Sequence, residues 1–450
     1  MILGLGFMPA DRVTAQTFTN LLDFSGGSDG GNPMCGLVLS GSTLYGTANS
    51  GGGLGNGVVF SLDTDGTGLA ILHTFMDSAD GAFPYAGLIL SSNTLYGTAE
   101  NGGAQESGTV FALNTDGTSF RNLHSFTAVS GPFNTNSDGA FPEAGLLISG
   151  NALFGATVIG GNTGNGALFR INTDGSGFER LHSFSGGIDG DYPHGDLILS
   201  GSTLYGTAVG GGSAGTGALF ALNTNGAGFT TLYSFTAISG FLRTNSDGAS
   251  PQAGLLLSGN MLYGTASKGG SFGFGSLFAV KTDGTGFTNL HNFTDSEATP
   301  FARLILLGNT LFGTTSGSGG SGFGNVFRAG TNGANFTTLH SFDSNDGNAP
   351  IGGLVSLAGA LYGTASAGGA SDFGTVFSLS FPIPRLTITR SGTNVVLTWP
   401  ADPAGFTLQS SVNLFSPAWN PVFPTPTVTN GQNTVTNPAS GLSRFYRLKQ

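Results

Sequence analysis

The sequence has few charged residues, one cysteine and no long apolar run, and each of these shortages excludes a class of protein. Charged residues make up 9 % of the 450 residues, against about 25 % in ordinary soluble domains. The formal charge of −11 argues against a nucleic-acid partner, because nucleic acids are bound by basic surfaces. A single cysteine, Cys35, excludes an internal disulfide framework and a cysteine-rich metal site. No apolar run reaches the roughly 18 residues of a transmembrane helix, so none is predicted.

Glycine and phenylalanine are abundant instead. The chain contains 79 glycines and 37 phenylalanines, and 39 % of its residues are hydrophobic. Disordered chains are poor in aromatic residues, so this composition predicts a folded protein with a large core. Collagen is excluded because glycine does not recur at every third position. A composition this biased suggests internal repetition.

The repeat is marked by an aromatic residue followed by glycine. Leu-Tyr-Gly-Thr at residues 44–47 has six further copies, two of them with phenylalanine in place of tyrosine, at spacings of 51, 58, 51, 58, 49 and 50 residues. Each copy predicts four short strands separated by glycine-rich turns, which in the first copy cover residues 36–40, the region around 44–45, the region from 57, and residues 69–75. The aromatic positions of the seven copies are Tyr45, Tyr96, Phe154, Tyr205, Tyr263, Phe312 and Tyr362.

Four antiparallel strands in each unit of about 50 residues are typical of a β-propeller blade. The sequence therefore predicts an all-β protein with a seven-bladed β-propeller over residues 18–381. Residues 18–24 form an extra fourth strand ahead of the first complete copy. We expect this N-terminal strand to complete the last blade and close the ring, since it would pair an otherwise open edge. Phenylalanines at fixed positions in the third and fourth strands are expected to fill the space between blades.

The two ends of the chain differ from the repeats. Residues 1–17 are interpreted as disordered or as the remnant of an export signal, because a short apolar stretch lacks a basic start. Residues 382–450 contain both tryptophans, and four alternating stretches, at 386–388, 395–399, 406–408 and 445–448, predict a small β-sandwich. Leu-Thr-Trp at 397–399 and Phe-Tyr-Arg-Leu at 445–448 make this segment resemble a shortened fibronectin type III module.

Leu-Tyr-Gly-Thr at 44–47, followed by Gly-Val-Val-Phe at 57–60, resembles the GloVer tandem repeat of bacterial exported proteins. The resemblance covers about 360 of the 450 residues. It implies a secreted or cell-surface protein. The family carries no established chemistry, so no catalytic residue is transferred to this chain.

Two sets of repeated polar residues have a structural interpretation that we prefer to a functional one. Five histidines recur in Leu-His-x-Phe in separate blades, too far apart to form one site. The Asp-Gly-x-x-Pro loops could bind calcium, but an aspartate before glycine also forms turns without a metal. No other cofactor is expected. The histidines are His73, His124, His182, His291 and His340, and the loop aspartates are Asp29, Asp80, Asp138, Asp189, Asp247 and Asp346.

Residues that break the repeat are the candidates for function. The residue after each loop proline varies between copies, and two positions later glycine is replaced in two copies by Asp196 and Arg303. The first strand of a blade lines the central channel, so these side chains are expected at one channel mouth. Neutral variation on an exposed rim is the alternative. The ligand-binding candidates are Tyr85, Glu143, His194, Asp196, Gln252, Phe301 and Arg303.

These residues favour a non-enzymatic binding or scaffold module, outside the cell or at its surface, for a glycan or peptide. The alternative is a glycan-active enzyme that uses Glu143 and Asp196 as acid and base, which requires their carboxyls at about 5–5.5 or 6.5–9.5 Å. A third hypothesis is that the ring only spaces the C-terminal module and takes no ligand. Ligand identity and oligomeric state are left open by the sequence.

Overall fold

The computed structural model describes residues 16–449 except 79, 318–321, 383, 402–405, 414–417, 430 and 440–443. Most of the segment interpreted as disordered or as an export remnant therefore lies outside the described residues. The chain divides into two compact units. One is Thr19–Val355 with Tyr362–Ser378, and the other is the C-terminal part from Leu379 with Ser356–Leu361 and the N-terminal residues up to Phe18. Among the described helices, none is long and apolar enough to cross a membrane.

The described residues form an all-β protein whose repeats are four-stranded antiparallel sheets. A single turn of 3-10 helix, Asp295–Glu297, is the helical element of the described part. We number the repeat sheets 1 to 7 in chain order. Sheet 1 contains β2 Val38–Ser40, β3 Thr43–Ala48, β4 Val58–Asp63 and β5 Ala70–Thr74. Sheet 2 contains β6 Ile89–Ser91, β7 Thr94–Ala99, β8 Thr109–Asn114 and β9 Arg121–Ser125. Sheet 3 contains β10 Leu147–Ser149, β11 Ala152–Thr157, β12 Ala167–Asn172 and β13 Glu179–Ser183.

The remaining repeat sheets have the same order. Sheet 4 contains β14 Ile198–Ser200, β15 Thr203–Ala208, β16 Ala218–Asn223 and β17 Thr230–Ser234. Sheet 5 contains β18 Leu256–Ser258, β19 Met261–Ala266, β20 Ser276–Lys281 and β21 Thr288–Asn292. Sheet 6 contains β22 Ile305–Leu307, β23 Thr310–Thr315, β24 Asn325–Gly330 and β25 Thr337–Ser341. Sheet 7 contains β26 Val355–Leu357, β27 Ala360–Ala365 and β28 Thr375–Ser380, with β1 Thr17–Asp23 in the fourth place. The N-terminal strand thus belongs to the sheet of the seventh copy.

The glycine after each aromatic residue is required by a phenylalanine ring on the next strand. In sheet 1, Gly46 pairs with Phe60 across β3 and β4. A Cβ atom on Gly46 would lie 2.7 Å from Cζ of Phe60. The same conflict recurs at 2.5–2.7 Å in the other six sheets. The aromatic-glycine pair therefore makes room for a fully buried ring.

Phenylalanine rings join each sheet to the next, as the sequence predicts. Phe75 at the end of sheet 1 meets Phe111 of sheet 2 edge-on, with ring centroids 5.3 Å apart. Phe24, which follows β1 of sheet 7, meets Phe60 of sheet 1 in the same way at 5.3 Å. All four rings are 0 % exposed. Burial of such a side chain is worth roughly 1.5–3 kcal/mol, so these contacts form the core of the repeat unit.

The C-terminal unit has two sheets of its own. The first has the order β29 Thr387–Ser391, β30 Asn394–Pro400, β34 Gln432–Pro438 and β33 Thr427–Thr429, and the second has β32 Asn420–Pro421, β31 Thr407–Ser411 and β35 Phe445–Lys449. Leu397, Trp399 and Val435 of the first sheet share one core with Leu408 of the second. Two sheets packed on a common core agree with the predicted sandwich.

Candidate functional site

A cavity of about 760 Å³ lies in the unit of residues 19–355 and is lined by the start of the first strand of all seven repeats. The seven candidate residues from the sequence all line it, and each is half-buried. The structure therefore brings together the residues that break the repeat, although they are spread over more than 200 positions of the chain. They are Tyr85, Glu143, His194, Asp196, Gln252, Phe301 and Arg303.

Close packing between neighbouring sheets explains why glycine dominates one level of this cavity. A Cβ on Gly87 would lie 3.0 Å from the carbonyl oxygen of Gly36, and one on Gly36 would lie 3.0 Å from that of Gly353. Such distances are tighter than ordinary van der Waals contact, so a side chain is excluded unless the neighbouring strand shifts. Asp196 and Arg303 occupy this glycine position in sheets 4 and 6. We call the seven positions the glycine level; its other members are Gly36, Gly87, Gly145, Gly254 and Gly353.

At five junctions between the sheets, a threonine hydroxyl bonds one sheet to the next, directly beside the glycine level. Thr47 of sheet 1 donates to the carbonyl of Ala86, the residue before Gly87 of sheet 2, at 3.1 Å. Thr364 of sheet 7 donates in the same way to the carbonyl of Cys35 in sheet 1, at 2.6 Å. The equivalent bonds at the other junctions are Thr98 to Ala144, Thr207 to Ala253 and Thr314 to Gly352.

This threonine bond is missing at two junctions of the described residues. Between sheets 3 and 4 the threonine position is occupied by Ala156, and between sheets 5 and 6 the buried hydroxyl of Thr265 has no hydrogen-bond partner. These are the junctions at which the next sheet carries Asp196 and Arg303 in place of glycine. The two departures from the repeat therefore occur together.

An acidic group and a histidine pair across sheets 3 and 4. Nδ1 of His194 lies 2.9 Å from Oε2 of Glu143, with the side chains 26 % and 17 % exposed. Burial, and then the negative charge of Glu143, raise the pKa of the Tyr85 phenol. The three residues therefore lie in one electrostatic neighbourhood of the cavity.

Glu100 belongs to the same neighbourhood and was not identified from the sequence. Its pKa is raised by burial and by the charge of Glu143, while His194 and the Asn101 side chain act in the opposite direction. Glu100 directly follows the second strand of sheet 2, at a position where the other copies have asparagine, valine or serine. Comparison of that column would have shown it as the one ionisable residue.

The remaining candidates make different contacts. Oδ1 of Asp196 accepts a hydrogen bond of 2.7 Å from the amide of Gly145 in sheet 3. Nε2 of Gln252 donates to Oγ of Ser267 at 3.3 Å. Phe301 and Arg303 line the cavity from sheet 6, and within the described residues Arg303 has no carboxylate partner. The cavity therefore combines acidic, basic, amide and aromatic groups.

The recurrent histidines lie elsewhere and each faces a loop carboxylate; His73, His124, His182 and His291 also stack on a phenylalanine of the next sheet. His73 stacks on Phe120 with centroids 3.7 Å apart, and its Nε2 lies 2.8 Å from Asp80. Tyr233 replaces histidine in sheet 4 and donates to Asp247 at 2.7 Å. These contacts agree with a structural role. The pairs are His73–Asp80, His124–Asp138, His182–Asp189, His291–Glu297 and His340–Asp346.

The loop aspartates considered as calcium ligands bond to protein groups. Asp80 accepts from the amide of Met76 as well as facing His73. Asp29, in the loop without a histidine, accepts from the amide and hydroxyl of Ser25. Within the described ranges, no cluster of three or more histidine, cysteine or acidic side chains is arranged to hold a metal ion.

Repeated four-stranded antiparallel sheets that share one cavity define the chain as an all-β tandem-repeat protein. It belongs to the Gloeobacter/Verrucomicrobia repeat family, which matches residues 10–135, 132–245 and 240–411. The family resemblance stated from the sequence is confirmed for the repeats. Among proteins of curated function, none matches this sequence.

Solved structures offer a likeness of fold. The chain is similar to a puromycin-hydrolysing peptidase from Mycobacterium tuberculosis, with 12 % identity, a TM-score of 0.50, and coverage of 81 % of this chain and 57 % of that one. It is also similar to an oligogalacturonate lyase from Vibrio parahaemolyticus, with 9 % identity, a TM-score of 0.49, and coverage of 82 % and 97 %. The chain thus spans little more than half the length of the peptidase, and the likeness concerns the fold alone.

Proposed function

We propose that the seven repeat sheets are the blades of a closed β-propeller whose cavity is a ligand-binding site. Two contacts between sheets 7 and 1 support closure: the edge-on rings of Phe24 and Phe60, and the hydrogen bond from Thr364 to Cys35. Both contacts have equivalents between consecutive sheets elsewhere in the chain. In this proposal β1 supplies the outer strand that joins the end of the ring to its beginning.

The proposed activity is non-enzymatic binding of a glycan or peptide, in a secreted or cell-surface protein. The observation that carries it is that all seven repeat-breaking side chains line one cavity. These side chains are half-buried, whereas neutral variation is expected on an exposed rim. Concave sites with a few convergent polar groups and aromatic rings are the usual form of a small-ligand site.

The test is a glycan and peptide array probed with the wild-type chain and the Glu143→Ala/His194→Ala variant. We expect binding by the wild type and loss of that binding in the double variant. Unchanged binding by the double variant would place the site elsewhere, and no binding by either protein would favour a ring that only spaces the C-terminal module. Asp65→Ala, in an exposed turn of sheet 1, is a control that should bind normally.

A glycan-active enzyme is the second candidate function. The observation that favours it is the raised pKa of Glu100 beside Glu143, because acid and base roles arise where two carboxyls have environments that separate their pKa values. Glu143 pairs with His194, and Asp196 accepts a hydrogen bond from the Gly145 amide. Glu100 is therefore a better candidate than Asp196 for the second carboxyl of an acid–base pair with Glu143. Reducing-end release from any bound array glycan, abolished by Glu100→Gln, would support catalysis; binding without release would reject it.

The C-terminal unit completes the proposal as a fibronectin type III-like attachment module. Its support is the shared core of two sheets around Trp399. Residues 382–450 fused to a reporter should be retained on the surface of bacterial cells that carry this family. Release of the fusion into the medium would remove the attachment role.

A further inference from the structure

The glycine level of the cavity carries an acidic and a basic side chain, Asp196 and Arg303, and the basic one forms no ion pair among the described residues. Arg303 stands where five other sheets have glycine, and it is half-buried. The two acidic candidates of the cavity have partners of their own, Glu143 in His194 and Asp196 in the amide of Gly145. No described carboxylate lies within ion-pair distance of the Arg303 guanidinium. A partly desolvated guanidinium with free donors is a strong site for a planar anion.

The fold tolerates Arg303 at a structural cost. The junction that leads to its strand is the one at which the buried hydroxyl of Thr265 has no partner, whereas Thr314 and Thr207 make the bond at the junctions on either side. A buried hydroxyl without a hydrogen bond is unfavourable. Departures from local structural rules are expected where a residue serves function, so this cost adds weight to a role for Arg303.

The other residues that line the cavity indicate which chemical groups the ligand carries besides its anionic group. Glu143 and Asp196 can accept hydrogen bonds from hydroxyls, Gln252 can donate and accept, and Tyr85 and Phe301 supply aromatic surface. Hydroxyls and an apolar ring face are the features of a sugar. The net charge of −11 disfavours a polyanion and favours a ligand with a single anionic group.

We propose that the cavity binds a saccharide bearing a single carboxylate, held by the guanidinium of Arg303. This inference rests on the proposed binding function and names its ligand class. The planar fork of arginine matches the two oxygens of a carboxylate, and lysine cannot reproduce that geometry. Arg303 thereby distinguishes a uronic acid from the corresponding neutral sugar.

The experiment is a ligand-observed NMR titration with glucuronic acid and glucose at millimolar concentrations. We expect glucuronic acid to bind the wild type more tightly than glucose. Arg303→Gly restores the residue found in five other sheets, so it should fold, and it should weaken glucuronic acid binding at least about tenfold. Arg303→Lys should be intermediate. Asp65→Ala, in an exposed turn outside the cavity, is the control and should retain the preference for the acid.

Two results would overturn the inference. The first is equal affinity for glucuronic acid and glucose, or a preference for the acid that survives in Arg303→Gly. The second is Arg303-dependent binding of a dipeptide with a free carboxyl terminus, but not of its amide or of glucuronic acid, which would reject the saccharide. Failure of the binding function itself is recognised separately, by an array on which neither wild type nor Arg303→Gly binds anything.

Discussion

Threonine 207 and threonine 265 occupy the same position in neighbouring sheets, yet one hydroxyl is bonded and the other is not. Thr207 donates to the carbonyl of Ala253 at 3.1 Å, while Oγ1 of Thr265 is buried without a partner. Thr207→Val should lower the free energy of unfolding by about 1–2 kcal/mol, because it leaves a buried carbonyl unpaired. Thr265→Val should be neutral or stabilising. Urea denaturation measures both, and equal losses would contradict the missing bond.

Histidine burial predicts a loss of stability on acidification. Burial lowers the pKa of His73 and His182 below the ordinary value of 6.5, against the opposing effect of their aspartate partners. Below about pH 6.5 these histidines bind more protons in the unfolded chain than in the folded one. The contribution of the neutral histidines to the free energy of unfolding is therefore present above about pH 6.5, and it is lost as the pH falls through the lowered pKa. The melting temperature should therefore drop between about pH 7 and pH 5.

Sheet 4 supplies the control for this prediction, because it already has Tyr233 in place of histidine. His73→Tyr/His182→Tyr should flatten the dependence of melting temperature on pH while keeping a donor to the aspartate, as Tyr233 does. Tyr233→His should make it steeper. An unchanged profile in both variants would show that other groups set the acid sensitivity.

The sequence was sufficient to find the seven repeat-breaking residues that line the cavity, for a physical reason. Repetition makes each position comparable with six others, so Asp196 and Arg303 stand out against glycine without any knowledge of the structure. Glu100 was missed because its column is variable and lies at the end of another strand. The pairing of Glu143 with His194 could not be predicted, since it depends on which way side chains of adjacent sheets turn. The partner of His291 is also unlike the others: it is Glu297, from a short 3-10 turn, where the other histidines pair with an aspartate.

At the scale of elements, the loops before sheets 3 and 5, which are longer than those of the other repeats, are held by the same hydrogen bonds. Asn245 makes four hydrogen bonds: its Nδ2 donates to the carbonyls of Thr236 and Gly248, and its Oδ1 accepts from the amides of Gly248 and Gly270. Asn136 has the equivalent bonds in the loop before sheet 3. One side chain thus fixes a loop whose tip, Phe241, is 100 % exposed.

Asn245→Ala should release this loop. We expect a loss of about 1–3 kcal/mol in the free energy of unfolding, because buried backbone groups lose their partners, and faster cleavage by chymotrypsin at Phe241. Asn225→Ala is the matched control, since that side chain accepts one hydrogen bond in an exposed turn. Equal cleavage rates for the two variants would mean that the asparagine does not hold the loop.

Strands were predictable where the repeat or a hydrophobic alternation marked them, and less so elsewhere. The four stretches predicted in the C-terminal unit lie in or beside β29, β30, β31 and β35. β34 was missed because its sequence, Gln-Asn-Thr-Val-Thr-Asn-Pro, contains one hydrophobic residue, Val435. Its strand conformation comes from pairing along the whole of β30, a tertiary effect that local propensity does not contain.

At the scale of the molecule, closure of the proposed propeller depends on β1. Deletion of residues 1–24 removes β1 and Phe24, which exposes the edge of β28 and the face of Phe60. Hydrogen exchange in β28 should become faster, and the melting temperature should fall well below that of the wild type. Deletion of residues 1–15 alone is the control and should leave the exchange of β28 unchanged. Protected β28 amides in the longer deletion would reject the closing role of β1.

The pairing of β1 with β28 also sets an order of events during synthesis. The two strands are separated by six complete sheets, so the contact order of this one pairing is far higher than that of any hairpin in the repeats. Sheets 1 to 6 can form from local contacts as the chain emerges from the ribosome. β1 must wait, unpaired, until the seventh repeat has been translated. Of the strands in the repeat sheets, β1 is therefore the first to be made and the last to gain its partner.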